Sequence, residues 1–130
     1  MNKRLALAEG FLKEGKLELK RYKATGNEML LREACEKGWG CVMAALKAVN
    51  PEIKYHKDFG KTATQLAKKY NNEEIVHGES CGEALHRTGF YEGDMDVETV
   101  EVNFHCLEKF LKIIDNILSN HPPSPQLGED

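Results

Sequence analysis

The chain has 130 residues, a net charge of −3, 41% hydrophobic residues and 30% charged residues. This length builds one domain with a real core but not two independent ones, and the composition excludes a disordered chain. The longest apolar run, Cys41 to Leu46, is far shorter than the roughly 20 residues of a membrane-spanning helix, so we expect no membrane contact.

The cysteines favour a reducing compartment. They are spread among helical patterns, at Cys35, Cys41, Cys81 and Cys106. The apolar residues after Lys3 and Arg4 are interrupted by Glu9 before a secretory signal can form. We therefore expect reduced thiols and a cytoplasmic protein.

Apolar residues at steps of three and four predict two long helices in the first part of the chain. The first extends from Lys3 to about Lys23. The second extends from about Glu28 to Val49 and stops before Pro51, because proline disfavours helical geometry in the residue before it. Small residues dominate the apolar seam of this second helix. Neighbouring helices can therefore approach it closely, and we place it at the centre of a bundle.

A loop and two shorter helices are predicted next. The loop covers residues 51–58, and the third helix is marked by helical spacing at Phe59, Ala63, Leu66 and Tyr70. Asn71 is predicted to cap the fourth helix, with Glu74 three residues later in a capping-box arrangement. Helical spacing then continues to Leu85.

The last predicted helix has the most regular pattern. A turn at residues 93–96 precedes it, and one apolar seam runs in steps of three and four from Val97 to Leu118. A second seam beside it contains Cys106, Phe110, Ile113 and Ile117. An apolar surface this wide predicts either the core helix of the bundle or an additional dimer interface.

These patterns together predict an all-α fold, an up-and-down bundle of about five helices. No stretch of alternating polar and apolar residues competes with the helical patterns. Residues 1–119 are predicted to form one helical domain, and the proline-containing residues 120–130 are expected to form a disordered tail.

Charge is distributed unevenly along the chain. Residues 1–25 hold seven basic and three acidic groups, whereas residues 92–130 hold two basic and nine acidic groups. The preferred interpretation is that two neighbouring antiparallel helices attract each other through their outer faces. The alternative is that the first helix offers a cationic strip to an anionic partner such as RNA.

The order of elements resembles the HEPN superfamily of small helical bundles, and more narrowly its archaeal PaREP-like branch. The resemblance covers residues 3–119 in layout, and its specific part is Leu85-His86 followed by Phe90-Tyr91-Glu92-Gly93 at the entry to the last helix. It implies a homodimer that places two copies of the stretch 83–93 near one another.

Many proteins of the HEPN type are metal-independent endoribonucleases with an arginine, then a polar residue, then a histidine, with four to six residues between the arginine and the histidine. In that chemistry the histidine transfers a proton during attack by the RNA 2′-hydroxyl, and the guanidinium holds the phosphate. Arg87 and Thr88 resemble the start of this pattern. Glu92, Gly93 and Asp94 occupy the three positions where the histidine would fall, so the pattern is incomplete and no catalytic residue is predicted.

The residues of this stretch also have purely structural interpretations. Arg87 is expected to pair with Glu83 one helical turn earlier. His86 is expected to bond to Tyr91 or to a backbone carbonyl. As a ligand site, the stretch offers His86, Arg87, Tyr91 and Glu92.

No metal and no cofactor are predicted. His77 and Cys81 would share a helical face, and His105-Cys106 could approach from the last helix, so a tetrahedral zinc site can be drawn. Buried thiols and ordinary surface histidines explain the same residues. The sequence has no phosphate-binding GxxxxGK[ST] loop, no GxGxxG and no GxSxG motif.

Three functions remain open. The preferred one is a non-catalytic binding or regulatory module that contacts a nucleotide or RNA through His86 and Arg87, with Tyr91 stacking on a base. The second is a divergent, toxin-like endoribonuclease controlled by a protein partner. The third is a protein-interaction scaffold without a small ligand.

Overall fold

The computed structural model of the chain describes residues 2–120. All regular secondary structure in that range is helical. Five are α-helices and one is a π-helix: α1 Lys3–Thr25, α2 Glu28–Val49, α3 Lys57–Tyr70, α4 Glu74–Ala84, the π-helix Leu85–Tyr91 and α5 Val97–Asn120. The predicted all-α, up-and-down bundle is confirmed. The remainder of the predicted tail, residues 121–130, lies outside the described residues.

Helix α2 is the central element of the bundle, as its small residues predicted. Its buried residues include Cys35, Val42 and Leu46, none of which has solvent-exposed area. Helix α1 packs along it, and the π-helix, α3, α4 and α5 also contact it. Both predicted boundaries of α2 are confirmed. The side chain of Asn27 accepts a hydrogen bond from the Met29 N–H at its start.

The junction between α3 and α4 differs from its prediction by one residue. Asn71 ends α3 in the left-handed conformation, with φ 51°, and its N–H donates to the Ala67 carbonyl. Asn72 instead supplies the side-chain oxygen that accepts from the Glu74 N–H, at 3.0 Å. The prediction of Asn71 as the cap of α4 was wrong because asparagine also tolerates the left-handed geometry that closes a helix.

The π-helix was not predicted, and α2 holds it in place. Arg32 of α2 donates from Nε to the Phe90 carbonyl and from Nη2 to the Tyr91 carbonyl, both at 2.8 Å. These bonds satisfy carbonyls that the end of a helix leaves without partners. Gly89 faces Cys35, where any side chain would overlap the thiol. The π-helix is therefore held by contacts with α2, which is distant from it in sequence.

Helix α5 uses most of its wide apolar surface inside this one chain. Phe110 and Ile117 of the second seam are buried, and Cys106 and Ile113 are partly buried against the same core. Gly78 of α4 lies against the Phe110 ring, so α4 approaches α5 closely. Packing within this one chain therefore covers most of both seams.

Ion pairs join the outer faces of α1 and α5. Lys16 pairs with Glu108, and Lys23 pairs with Glu101. These are the contacts that the preferred interpretation of the uneven charge predicted. No helix within residues 2–120 has the length and apolar character needed to cross a membrane.

Candidate ligand-binding site

The site is organised around His86, the second residue of the π-helix. Its Nδ1 lies 2.9 Å from Oε1 of Glu36 on α2, and the imidazole is mostly buried. The ring stacks on Trp39 with centroids 5.4 Å apart, and Tyr91 meets it edge-on at 4.9 Å. The prediction that His86 bonds to Tyr91 or to a backbone carbonyl was wrong, because the Glu36 carboxylate on α2 is within reach and takes the hydrogen bond. Tyr91 contacts the imidazole only through its ring edge.

A second histidine lies beside the first. His56 comes immediately before α3, and its ring stacks on Trp39 with centroids 5.1 Å apart. Its Nε2 lies 3.0 Å and 3.2 Å from the two carboxylate oxygens of Glu83 on α4. The residues Glu36, Trp39, His56, Glu83 and His86 are called the histidine cluster below.

Both imidazoles lie on the same side of the Trp39 indole. Their centroids are 5.5 Å apart, whereas rings in van der Waals contact with opposite faces of one indole would be about 7 Å apart. Trp39 itself is only 2% exposed, so it is a fixed surface for the two rings. When each histidine donates to its carboxylate, Nε2 of His86 and Nδ1 of His56 are the nitrogens left to meet a ligand.

Glu83 of the cluster and the neighbouring Glu79 differ in their protonation. Burial raises the pKa of Glu79 to about 8, and the neighbouring Glu83 carboxylate adds to this rise while Arg87 opposes it. Burial would also raise the pKa of Glu83, but hydrogen bonds from Glu79 and His56 and the charges of His56 and Arg87 lower it overall. Glu79 is therefore the protonated member of the pair near neutral pH, and Glu83 is the carboxylate.

One carboxyl oxygen of Glu79 accepts no hydrogen bond. Oε2 is buried, and no donor within residues 2–120 reaches it. A buried carboxyl oxygen without a donor costs free energy unless the group carries its own proton. With the proton that its raised pKa retains, Glu79 forms an acid–carboxylate pair with Glu83, next to His56.

Arg87, Tyr91 and Glu92 are the exposed members of the predicted set. Nε of Arg87 lies 3.5 Å from Oε1 of Glu83, which confirms the expected ion pair, and 70% of the arginine side chain is exposed. Tyr91 is 66% exposed. The backbone N–H of Glu92 donates to the Arg87 carbonyl at 3.0 Å. The structure thus brings His86, Arg87 and Tyr91 to one surface, whereas within residues 2–120 the Glu92 side chain forms no ion pair with them.

Two open grooves of the surface differ in their relation to the cluster. One of about 580 Å³ lies between α1 and α5 and is lined by no cluster residue. A groove of about 400 Å³ is lined by Glu36, the partner of His86, and by the apolar side chains of Phe11, Met43 and Phe90. A ligand at the cluster has room to extend into this second groove.

Another group of side chains comes together between α4 and α5. His77, Cys81 and Cys106 place their nitrogen and sulfur atoms within 4.8 Å of one another. His105, which the sequence placed near the same group, pairs with Glu108 and is largely exposed.

Sequence reasoning missed His56, Glu36 and Glu79. His56 lies in a predicted loop, and no local pattern connects it with His86 thirty residues later. Glu36 belongs to the helix that was predicted from its apolar face alone. The only available signal was Trp39, a large aromatic residue in a helix otherwise rich in small ones, which needs large neighbours on its open side.

The fold and the cluster define a small all-α bundle with paired histidines and an exposed arginine at its surface. A sequence model of the archaeal PaREP1/PaREP8 family matches residues 2–111, and the chain belongs to this family. No curated protein and no solved structure matches the chain significantly.

Proposed function

We propose that the chain is a non-catalytic, HEPN-like binding module that contacts a nucleotide or RNA at the histidine cluster. The observation that supports this function best is the grouping of an exposed guanidinium, an exposed phenol ring and two carboxylate-bound imidazoles on one surface. A phosphate and a base need these groups: a cationic fork, hydrogen-bond donors and a ring to stack on.

Arg87 is the phosphate contact in this proposal. Its Nε lies 3.5 Å from Oε1 of Glu83, which is longer than a strong charge-assisted hydrogen bond, and 70% of its side chain is exposed, so the guanidinium can form paired hydrogen bonds with phosphate oxygens. The nearby carboxylates would repel an anion. Their pairing with His56 and His86, and the proton on Glu79, reduce that repulsion.

Tyr91 is the stacking contact. Its ring is already oriented by His86 and keeps most of its surface open to solvent. An aromatic ring that is held in place stacks on a base without first losing its own conformational freedom.

The proposal includes a homodimer in the cytoplasm. The support for the homodimer is the resemblance to HEPN domains, and the four free cysteines suit a reducing compartment. Light scattering on the purified chain tests the dimer, since one chain has a mass of 14.7 kDa.

A divergent endoribonuclease is the second candidate, because His56 supplies a histidine that the linear pattern lacks. One imidazole would remove the proton from the RNA 2′-hydroxyl, whose oxygen then attacks phosphorus and forms a 2′,3′-cyclic phosphate. The other imidazole would give a proton to the departing 5′-oxygen, and Arg87 would stabilise the charge on the phosphate.

The test uses labelled single-stranded RNA incubated with the purified protein in EDTA. We expect binding without cleavage, and a loss of affinity of about tenfold or more in the Arg87→Ala variant, as charge-assisted hydrogen bonds predict. The matched control is Lys112→Ala, which removes an exposed positive charge from α5, outside the cluster.

The other outcomes assign the other functions. Cleavage that disappears in both His56→Gln and His86→Gln would replace the binding module with the ribonuclease. Neither binding nor cleavage would leave the protein-interaction scaffold. Binding that Lys112→Ala weakens as much as Arg87→Ala would show a general attraction to RNA and contradict a site at the cluster.

A further inference from the structure

The side chains of His77, Cys81 and Cys106 converge where α4 meets α5. His77 and Cys81 are one helical turn apart on α4, and Nε2 of His77 lies 3.8 Å from Sγ of Cys81. Cys106 approaches from α5, and all three potential ligand atoms lie within 4.8 Å of one another. One imidazole and two thiols from two helices thus face a common point.

The close approach of α4 and α5 has a visible cause. Gly78, next to His77, lies against the ring of Phe110, and a side chain at this position would overlap that ring. Cys106 is one turn before Phe110 on α5, so the contact at Gly78 also brings Cys106 to α4. The packing of the core therefore holds the three side chains together before any ligand arrives.

These distances suit a tetrahedral metal ion. Zinc bonds of about 2.3 Å to sulfur and 2.1 Å to nitrogen place neighbouring ligand atoms about 3.6 Å apart. The separation of 3.8 Å between His77 and Cys81 is already close to this value. Bringing Cys106 to the same separation requires at most about 1 Å of side-chain movement, which a rotation of its thiol can supply.

Cys106 is held against α4 by a second contact. Its Sγ lies 3.7 Å from the backbone carbonyl of His77. The thiol of α5 is therefore next to the residue that supplies the imidazole, and a divalent ion would replace the thiol protons on binding.

We propose that His77, Cys81 and Cys106 bind Zn²⁺ or a similar divalent transition metal, with the fourth coordination position open to solvent. Cys81 is buried and Cys106 is partly buried, whereas His77 is exposed, so the ion has thiolates on its inner side and a route of entry past the imidazole. The bound ion would connect α4 to α5 directly before the π-helix.

The metal site and the histidine cluster share no residue. The metal proposal therefore does not depend on which ligand, if any, binds at the cluster. The test is a titration of the full, chelator-treated and reduced chain with Co²⁺, which gives thiolate charge-transfer and tetrahedral d–d absorption bands when it replaces Zn²⁺. We expect one Co²⁺ per chain, displaced by one Zn²⁺, and a rise in the thermal midpoint with either ion.

Four variants locate the ion. His77→Ala, Cys81→Ser and Cys106→Ser are expected to weaken Co²⁺ binding at least tenfold. His105→Ala is the matched control, because His105 is a neighbouring exposed histidine whose partner is Glu108, outside the group. His77 is exposed, so its replacement keeps the fold and the test valid even if a cysteine variant fails to fold.

Three results would overturn the proposal. The first is the absence of thiolate bands in the reduced wild-type chain. The second is Co²⁺ binding that persists in His77→Ala and is lost in His105→Ala. The third is a reduced chain that binds no metal but forms a Cys81–Cys106 disulfide on oxidation, found by mass spectrometry, which would make the pair a redox couple.

Discussion

Trp39 determines the arrangement of the site although it cannot contact a ligand. Its buried indole stacks on both imidazoles, so His56 and His86 are positioned by one rigid surface. Trp39 is also part of the buried core. Its contact with His56 could not be predicted from sequence, because it depends on the path of the chain between α2 and α3, which no local pattern specifies.

Glu79 gives the first prediction at this scale, for the Glu79→Gln variant. Burial raises the pKa of Glu79 from 4.5 to about 8. Between these values the unfolded chain binds fewer protons than the folded chain, so this residue makes the protein less stable as pH rises toward 8. Glutamine stays neutral. The variant should match the wild type near pH 5 and exceed its unfolding free energy at pH 9 by more than about 1 kcal/mol, the value of one pKa unit.

Thermal and denaturant unfolding in EDTA at pH 5, 7 and 9 measures this difference. Glu73→Gln, an exposed change immediately before α4, is the control and should leave the pH profile unchanged. A Glu79→Gln variant that is equally destabilised at all three pH values would contradict a protonated Glu79.

At the scale of elements, α2 and α5 could be predicted from sequence but the π-helix could not. The start and end of α2 follow from local signals, its seam of small residues and Pro51. The π-helix depends on Arg32, which is 58 residues before Phe90 in the chain, and on the absence of a side chain at Gly89. Neither contact produces a local sequence pattern. The sequence analysis therefore predicted only an ordinary helix up to Leu85 and a turn at residues 93–96.

The Arg32→Lys variant tests this account of the π-helix. Lysine keeps the charge but cannot reach the Phe90 and Tyr91 carbonyls with two separate donors, as arginine does. Loss of these two bonds should lower the unfolding free energy by about 1–3 kcal/mol.

Hydrogen exchange should show the loss locally. Amide protection is expected to fall in residues 85–94 and to stay unchanged in α1. Arg21→Lys on the exposed side of α1 is the matched control. Uniform loss of protection along the chain would mean that Arg32 supports the whole core and has no special relation to the π-helix.

For the molecule as a whole, the charge pattern and the order of the helices predicted which two helices are neighbours. The basic first helix and the acidic last helix lie side by side, and two ion pairs join them. The histidine cluster was not predictable, because it forms where α2, α4, the π-helix and the residue before α3 meet. Local patterns specify each helix, but the site depends on the relative positions of several.

Reversal of one pair tests the attraction between the terminal helices. Lys23→Glu should lower the unfolding free energy, and the added change Glu101→Lys should restore it, with a coupling of about 0.2–1 kcal/mol because both side chains are substantially exposed. The coupling should shrink in 1 M salt. A double variant no more stable than Lys23→Glu alone would show that packing on α2 orders these helices without help from charge.

The π-helix also makes chain length a determinant of the site. A wide turn holds one more residue than the corresponding stretch of α-helix, so deleting a single residue such as Thr88 would let residues 85–91 relax to ordinary helical geometry. Because the wide turn absorbs the extra residue, the segment after it would keep its orientation, whereas the side chains inside the turn would be redistributed. The edge-on contact between Tyr91 and His86 spans this turn and would be altered, although no residue of the cluster had changed. The arrangement of this surface therefore depends on the number of residues in the turn as well as on their identity.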